Sequence, residues 1–373
     1  MIDMAGIVFA DTYDVELDEL LEKRTLAAIP FGARYRLIDF VLSNAVNAGM
    51  KNIGIITKLN YQSLMHHVRS GAEWDLDRKR SGLTILPPFS TEHVGDIYKN
   101  RLHSLEANVS YLRGLEEKYV IMSGCSDVVN FDLKEALDYH IRTGARLTVL
   151  YAPEPINNQP DVRGTCLSVN DEGRITDFVV ATVNPKGRFI SMNMFIMERQ
   201  DLLDILYEAM DTGKKSFRED VVAPMLKTDK VMGYPINEKV LFLDNLPGYL
   251  MSNLSLLDRD IRENLFQSDN GPVITRVKDS PPTRYGPGAV VKNSLIADGT
   301  IIDGTVENSV IFRGVNIGKG ARVRNCVIMQ DSVVSDGARL DYAVLDKEVL
   351  IEPDRILAGY ITHPFFCRRN TRI

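Results

Sequence analysis

Asn308-Ser309-Val310-Ile311 returns seventeen residues later as Asn325-Cys326-Val327-Ile328, and after seventeen more as Tyr342-Ala343-Val344-Leu345. An earlier copy, Asn293-Ser294-Leu295-Ile296, precedes the first by fifteen. A second motif keeps the same beat, with Gly320-Ala321-Arg322 recurring as Gly337-Ala338-Arg339. Within each period aliphatic residues recur about every six positions, as in Ile311, Ile317, Val323 and then Ile328, Val334, Leu340. That hexapeptide rhythm predicts a parallel β-helix, in which one aliphatic side chain per flat face points inward and stacks on its counterpart in the next coil. Three hexads shortened by one residue account for the seventeen.

Upstream of the repeat the rhythm stops. Residues 255–288 carry Gly271-Pro272, Pro281-Pro282 and Gly286-Pro287-Gly288, which punctuate loops. This stretch reads as a linker, with residues 289–373 as the β-helix and residues 1–254 as a separate domain. In that first domain, apolar runs at 7–10, 53–57, 119–123, 147–151, 190–197 and 239–243 read as strands. Leu37, Val41 and Ala45 share one helical face, joined by Ile38, Leu42 and Val46, and Gly49 supplies a stop. Asp132 is placed to cap another helix that ends near Gly144. Strand–helix alternation of this kind predicts an α/β domain with a mostly parallel sheet and helices on both faces.

Composition narrows the function. The chain has 373 residues, 45% hydrophobic and 25% charged, which suits a soluble protein of two or three domains. A net charge of −6 with no long basic run argues against nucleic acid as the main partner. No apolar run reaches the roughly 18 residues of a membrane span, and no basic leader precedes an apolar core. The expectation is a cytoplasmic protein with no membrane partner. Cys125, Cys166, Cys326 and Cys367 form no C-x-x-C and read as buried thiols. His66 and His67 are adjacent, so they point apart on a helix and make no i,i+4 ligand pair. Trp74 reads as core or interface, and Arg34 and Arg36 as structural, pairing with carboxylates such as Asp39.

The block Ile29-Pro30-Phe31-Gly32-Ala33-Arg34-Tyr35-Arg36-Leu37-Ile38-Asp39-Phe40, then Leu42-Ser43-Asn44-Ala45, resembles sugar-nucleotide pyrophosphorylases, specifically bacterial glucose-1-phosphate adenylyltransferase. With the C-terminal repeat, the resemblance spans the chain. It implies a Rossmann-like nucleotidyltransferase domain followed by a β-helix, and it supplies the left hand of that helix. In the family the first strand enters a Gly-Gly-x-Gly-x-Arg-Leu loop that cradles triphosphate. Here, at equal length, it enters Asp11-Thr12-Tyr13-Asp14-Val15-Glu16-Leu17. Asp11, Thr12 and Asp14 stand at the glycines and Glu16 at the arginine. A phosphate loop needs glycines for close backbone approach and a cation for charge.

Other family positions are lost in parallel. The phosphate-neutralising lysine after the loop falls on Leu26. The sugar-side Gly-Thr-Ala-Asp falls on Asn100-Arg101-Leu102-His103. One metal aspartate falls on Cys125 or, after a register slip, Asp127; the other falls near Phe242 or Asp244. The lysine that contacts sugar phosphate falls on Ala181. The resemblance therefore implies no catalytic residue and no metal site, with Asp11, Asp14, Glu16, Leu26 and Ala181 as degenerate positions. Lys23 and Arg24, and Arg284 within Pro281-Pro282-Thr283-Arg284-Tyr285, match positions that the family gives to an effector-phosphate site between its domains.

A kept fold with a lost site is similar to the non-catalytic D-type subunits of bacterial glycogen biosynthesis. The implied function is regulatory, in a heterotetramer with a catalytic subunit of the same family and under a phosphorylated effector. The chain would need no cofactor of its own, the Mg²⁺ residing in the catalytic partner. Three alternatives stay open: an active nucleotidyltransferase with an atypical loop, a stand-alone sugar-phosphate or nucleotide sensor, and a hexapeptide acyltransferase. The last usually places a histidine among the coils, and the only histidine here past position 140 is His363.

Overall fold

Met4–Phe9 is six consecutive buried residues, too apolar for a surface strand, and it becomes a central strand of the first domain. The computed structural model describes residues 2–11, 17–58, 60–88, 100–153, 164–181 and 188–373, with Val180 and Ala181 described in backbone only. In chain order the main sheet contains β1 (Met4–Phe9), β2 (Asn52–Ile56), β3 (Gly82–Leu86), β4 (Tyr119–Ser123), β5 (Leu147–Ala152), β6 (Gly164–Val169), β7 (Ile175–Ala181), β8 (Phe189–Glu198) and β9 (Val231–Pro235). Across the sheet the order is β7-β6-β8-β4-β1-β2-β3, with β5 paired to both β8 and β9. The expected parallel core is β3-β2-β1-β4. Beyond it β8 runs antiparallel to β4, β5 and β6.

Period-two alternation along β1 splits its side chains between two cores. Met4 and Val8 join the cluster that contains the helix Leu37–Asn47 and Leu133–Leu137. Ala5, Ile7 and Phe9 join the one that contains Leu102, Leu105 and the helix Arg199–Thr212. Helices thus cover both faces. The helix Leu37–Asn47 stops before Gly49, whose φ is 89°. The Asp132 side chain accepts the Lys134 and Glu135 N–H groups to cap Leu133–Thr143, and Gly144 ends it at φ 60°.

Two sequence expectations shift. The run at 239–243 is no strand of the main sheet: only Leu241–Phe242 is extended, and it pairs antiparallel with Asp127–Val128 in a separate two-stranded patch. The strand beside β5 is instead Val231–Pro235. The stretch at 255–288 also holds more than linker, since it contains the helix Arg259–Phe266 and, in Arg284–Tyr285, the first rung of the β-helix.

The β-helix has three parallel five-stranded sheets. One runs through Val290–Lys292, Thr305–Glu307, Arg322–Arg324, Arg339–Asp341 and Ile356–Ala358, and its later partners are seventeen residues apart in register. The repeated Asn has a backbone reason. Asn293, Asn308, Asn325 and Tyr342 turn a corner at φ 41°, 44°, 53° and 48°, a left-handed region that Asn tolerates better than most L residues. Asn293 Nδ2 also donates to Asn308 Oδ1 at 2.8 Å. Gly304 answers a different constraint, close coil stacking. A Cβ there would sit 2.5 Å from the Ala321 carbonyl oxygen and 2.7 Å from that of Gly318. Gly304→Ala is expected to destabilise the β-helix by about 1–3 kcal/mol, read as a lower thermal midpoint; an unchanged midpoint would mean that the coils can separate freely.

The two aliphatic residues of each repeat do different jobs. Ile311, Ile328 and Leu345 stack inside the β-helix. Val310, Val327 and Val344 join the core of the first domain together with Phe312, Met329, Tyr249 and Leu250. The helix Leu246–Ser255 carries Tyr249, whose hydroxyl donates to the Pro30 carbonyl at 2.7 Å. The β-helix is therefore fastened to the α/β domain by a shared apolar core.

Candidate functional site

The carboxyl ends of the parallel strands β1, β2 and β4 come together, which is where open α/β sheets bind ligands. Residues just past those ends are Asp11, Lys58 and Cys125. The Asp11 carboxylate accepts the Leu26 N–H at 3.2 Å and the Lys58 N–H at 3.3 Å. Backbone donors beside the first strand are thereby occupied by an acidic side chain. Burial pushes the Asp11 carboxyl upward, against those two hydrogen bonds and the Lys58 charge. Burial also lowers the Lys58 ammonium, with Asp11 opposing; sequence reading had passed over Lys58. Leu26 is 1% exposed and packs in the core. Asp14 and Glu16 lie outside the described residues, and so does the side chain of Ala181.

The sugar-side positions form structure of their own. Asn100 caps the helix Arg101–Ala107 by accepting the His103 N–H at 2.9 Å. Leu102 is fully buried. The Arg101 guanidinium lies over the rings of Phe9 and Phe195, at 4.7 and 5.2 Å from their centroids, and donates to the Asn193 carbonyl at 3.2 Å.

Cys125 is buried, and desolvation holds its thiol well above the usual range. Asp127 is also buried, and burial followed by the Asp244 charge raises its carboxyl strongly. The antiparallel patch between Asp127–Val128 and Leu241–Phe242 draws these two carboxylates together. Among the described residues no cluster of three His, Cys, Asp or Glu could hold a metal. Mg²⁺ is commonly held by one or two carboxylates together with substrate phosphates, so Asp127 and Asp244 would be the residues to hold it.

A second site lies between the domains, a cleft of about 640 Å³. Lys23, Arg34 and Arg36 line it from the α/β side, Arg276 and Lys278 from the connecting segment, and Arg313, Lys347 and Arg369 from the β-helix. Its only lining carboxylates among the described residues are Asp331 and Glu348. Gly32 and Ala33, at φ 57° and 69°, bend the hairpin Pro30–Arg36 that carries Arg34 and Arg36 there. Arg36 donates to the Ser63 carbonyl at 2.6 Å, and Arg276 to the His66 carbonyl at 2.6 Å. Arg313 pairs with Asp298 and Arg369 with Glu348.

The cations crowd one another. Burial first, then Arg24 and Arg276, draws Arg36 down to about 10 against the pull of Asp39. Burial with Arg313 and Arg36 lowers Lys278. Burial with Arg36 and Arg24 takes Lys347 down to about 7. Such a field suits a multiply charged anion with oxygen acceptors.

Of the expected effector residues, Lys23 lines the cleft and two do not. Arg24 is 3% exposed, and its guanidinium grips both oxygens of Asp346 at 2.7 and 2.9 Å. It pins the β-helix and is unavailable to a ligand. Arg284 sits exposed on the first rung, outside the lining. Arg34 and Arg36 are corrected in the other direction. Both line the cleft, and no ion pair to a carboxylate forms among the described residues; Arg36 is held by Ser63, and its backbone N–H meets Asp39 at 2.9 Å. His67 is turned toward the same Asp39, with Nε2 2.5 Å from Oδ1. Trp74 is core, 1% exposed. Among the described residues no helix is long and apolar enough to cross a membrane.

Known proteins agree with this architecture. The nucleotidyl transferase family matches residues 17–244, and the GlmU-like C-terminal hexapeptide family matches residues 282–360. The glycogen biosynthesis protein GlgD of Geobacillus stearothermophilus is 36% identical over 99% of this chain and 96% of its own length. GlgD of Bacillus subtilis is 30% identical over 98% and 96%. The glucose-1-phosphate adenylyltransferase of Thermosipho africanus is 32% identical over 87% of this chain and 78% of its own length. With the fold, both segment matches and these near full-length relatives in agreement, the chain belongs to the nucleotidyl transferase family, in the group that unites GlgD with glucose-1-phosphate adenylyltransferase.

Proposed function

We propose that this protein is a regulatory, catalytically impaired subunit of glucose-1-phosphate adenylyltransferase in glycogen biosynthesis. It would pair with a catalytic subunit of the same family, which carries the Mg²⁺ and converts ATP and glucose 1-phosphate to ADP-glucose and pyrophosphate. The distribution of charge carries the reading: cations crowd the cleft between the domains, whereas Asp11 occupies amide donors at the strand ends and Leu26 is apolar. Attack of a sugar phosphate on ATP brings several negative charges within a few ångströms, and its catalysis is mostly positioning and neutralisation. Losing one such contact commonly costs about 10²–10³ in rate. The cleft would receive a phosphorylated effector.

The protein alone is expected to form ADP-glucose at background level. Mixed with the catalytic enzyme it should co-elute and change that enzyme's kinetics or effector response. Robust turnover by the isolated chain would sink the non-catalytic reading; absence of both co-elution and kinetic effect would sink the subunit reading. The proximity of Asp127 and Asp244 favours one second reading, an active transferase with an atypical loop. That reading requires Mg²⁺-dependent turnover that disappears in Asp127→Ala.

A further inference from the structure

Lys347 stands apart among the cations of the cleft. Its neighbour Asp346 is the adjoining carboxylate, and Asp346 is already spent. Both its oxygens meet Arg24, and Oδ1 also accepts the Lys347 N–H at 2.7 Å. The positive charges of Arg36 on the α/β hairpin, Arg24 and Arg369 in the C-terminal tail all oppose the ammonium, against Asp346. Arg369 is itself neutralised by Glu348 at 3.0 Å. Asp331, one coil before Glu348 on the β-helix, and the imidazoles of His66 and His67, the latter turned to Asp39, also line the cleft. The other lining charges are positive.

We propose that filling this cleft with an anion is coupled to uptake of a proton by Lys347, so that the site fills more readily as pH falls. The inference rests on reading the cleft as the anion site. Without an anion, a half-buried ammonium among guanidinium groups is a costly charge, and of the cations Arg24, Arg36, Arg369 and Lys347 it is the one that can be given up, because arginine holds its proton throughout; Lys278, lowered by the same field, is the next lysine to follow. Consistent with this, Lys347 is drawn down to about 7. An anion oxygen brought beside Nζ favours the charged form again. The proton then comes from solvent, and linkage makes affinity fall with rising pH, by up to about tenfold per unit above pH 7. The signal opposes what an unshifted lysine gives, since that would stay charged and leave affinity flat over the same range.

The test uses the full chain and inorganic sulfate, whose charge is constant from about pH 6 to 9. Calorimetric titration at about pH 8, in two buffers of different ionisation enthalpy, reads protons taken up per sulfate bound. The wild type is expected to take up a large fraction of one proton, with affinity falling between about pH 7 and 9. Lys347→Arg should bind sulfate with no uptake and little pH dependence, and Lys347→Met should bind more weakly, also without uptake. Sulfate binding without uptake in the wild type, or uptake that persists in Lys347→Arg, overturns the coupling and leaves the anion site standing. Failure of the wild type to bind sulfate at any pH in this range overturns the anion site itself.

Discussion

Arg24→Met is expected to cost about 3–5 kcal/mol of stability, because it leaves the Asp346 carboxylate buried without its counter-ion. The pair is 3% and 5% exposed and is held by two hydrogen bonds. It joins the segment after the first strand to the fourth β-helix coil, so its loss loosens the domain junction beside the cleft. Adding Asp346→Leu should recover much of the loss, since replacing a whole buried pair by apolar groups is often close to neutral. Chemical denaturation monitored by circular dichroism reads both. A single variant as stable as the wild type would show that Asp346 finds another partner and that the pair does not fasten the domains.

Asp39→Ala should be comparably severe. Asp39 is fully buried and answers three chain segments at once. Oδ2 accepts the Arg36 N–H at 2.9 Å, closing the first turn of the helix Leu37–Asn47, and the Thr275 hydroxyl at 2.5 Å from the connecting segment. Oδ1 meets His67 Nε2 at 2.5 Å. Burial lowers His67, with the Asp39 hydrogen bond opposing, so the imidazole serves as a donor to the carboxylate. Removing the acceptor strips a helix cap worth about 0.5–2 kcal/mol and leaves two buried polar groups unsatisfied at about 1–3 kcal/mol each. The sum is not additive, and about 3–5 kcal/mol is expected. Asp39→Asn keeps one acceptor and should cost less. Since His67, Arg36 and Arg276 border the cleft, sulfate affinity should fall in whatever fraction of Asp39→Ala remains folded. An Ala variant with wild-type stability and sulfate affinity would remove Asp39 from any role in holding the cleft.

The repeat was legible because its physics is local. Each coil must present one aliphatic inward and make its corner within seventeen residues, so Ile311, Ile328 and Leu345 announce themselves. Their neighbours Val310, Val327 and Val344 repeat as faithfully, yet no local rule says that they face another domain; that depends on the helix carrying Tyr249. The run at 239–243 shows the same weakness, since its apolar pattern suits a strand but only two residues find a partner, outside the main sheet.

The two-part fold is written in the chain itself, because the hexapeptide rhythm and the strand–helix alternation are local patterns that hold wherever the chain goes. Only the tertiary structure decided where the positive charge gathers. Lys23, Arg36, Lys278 and Lys347 are separated by up to 324 positions, and no local pattern joins them. Docking the β-helix on the α/β domain places them around one cleft, buries Arg24 against Asp346 and leaves Arg284 outside. Charges interact through space at distances that sequence separation does not encode, so the fate of each cation is a property of the packing.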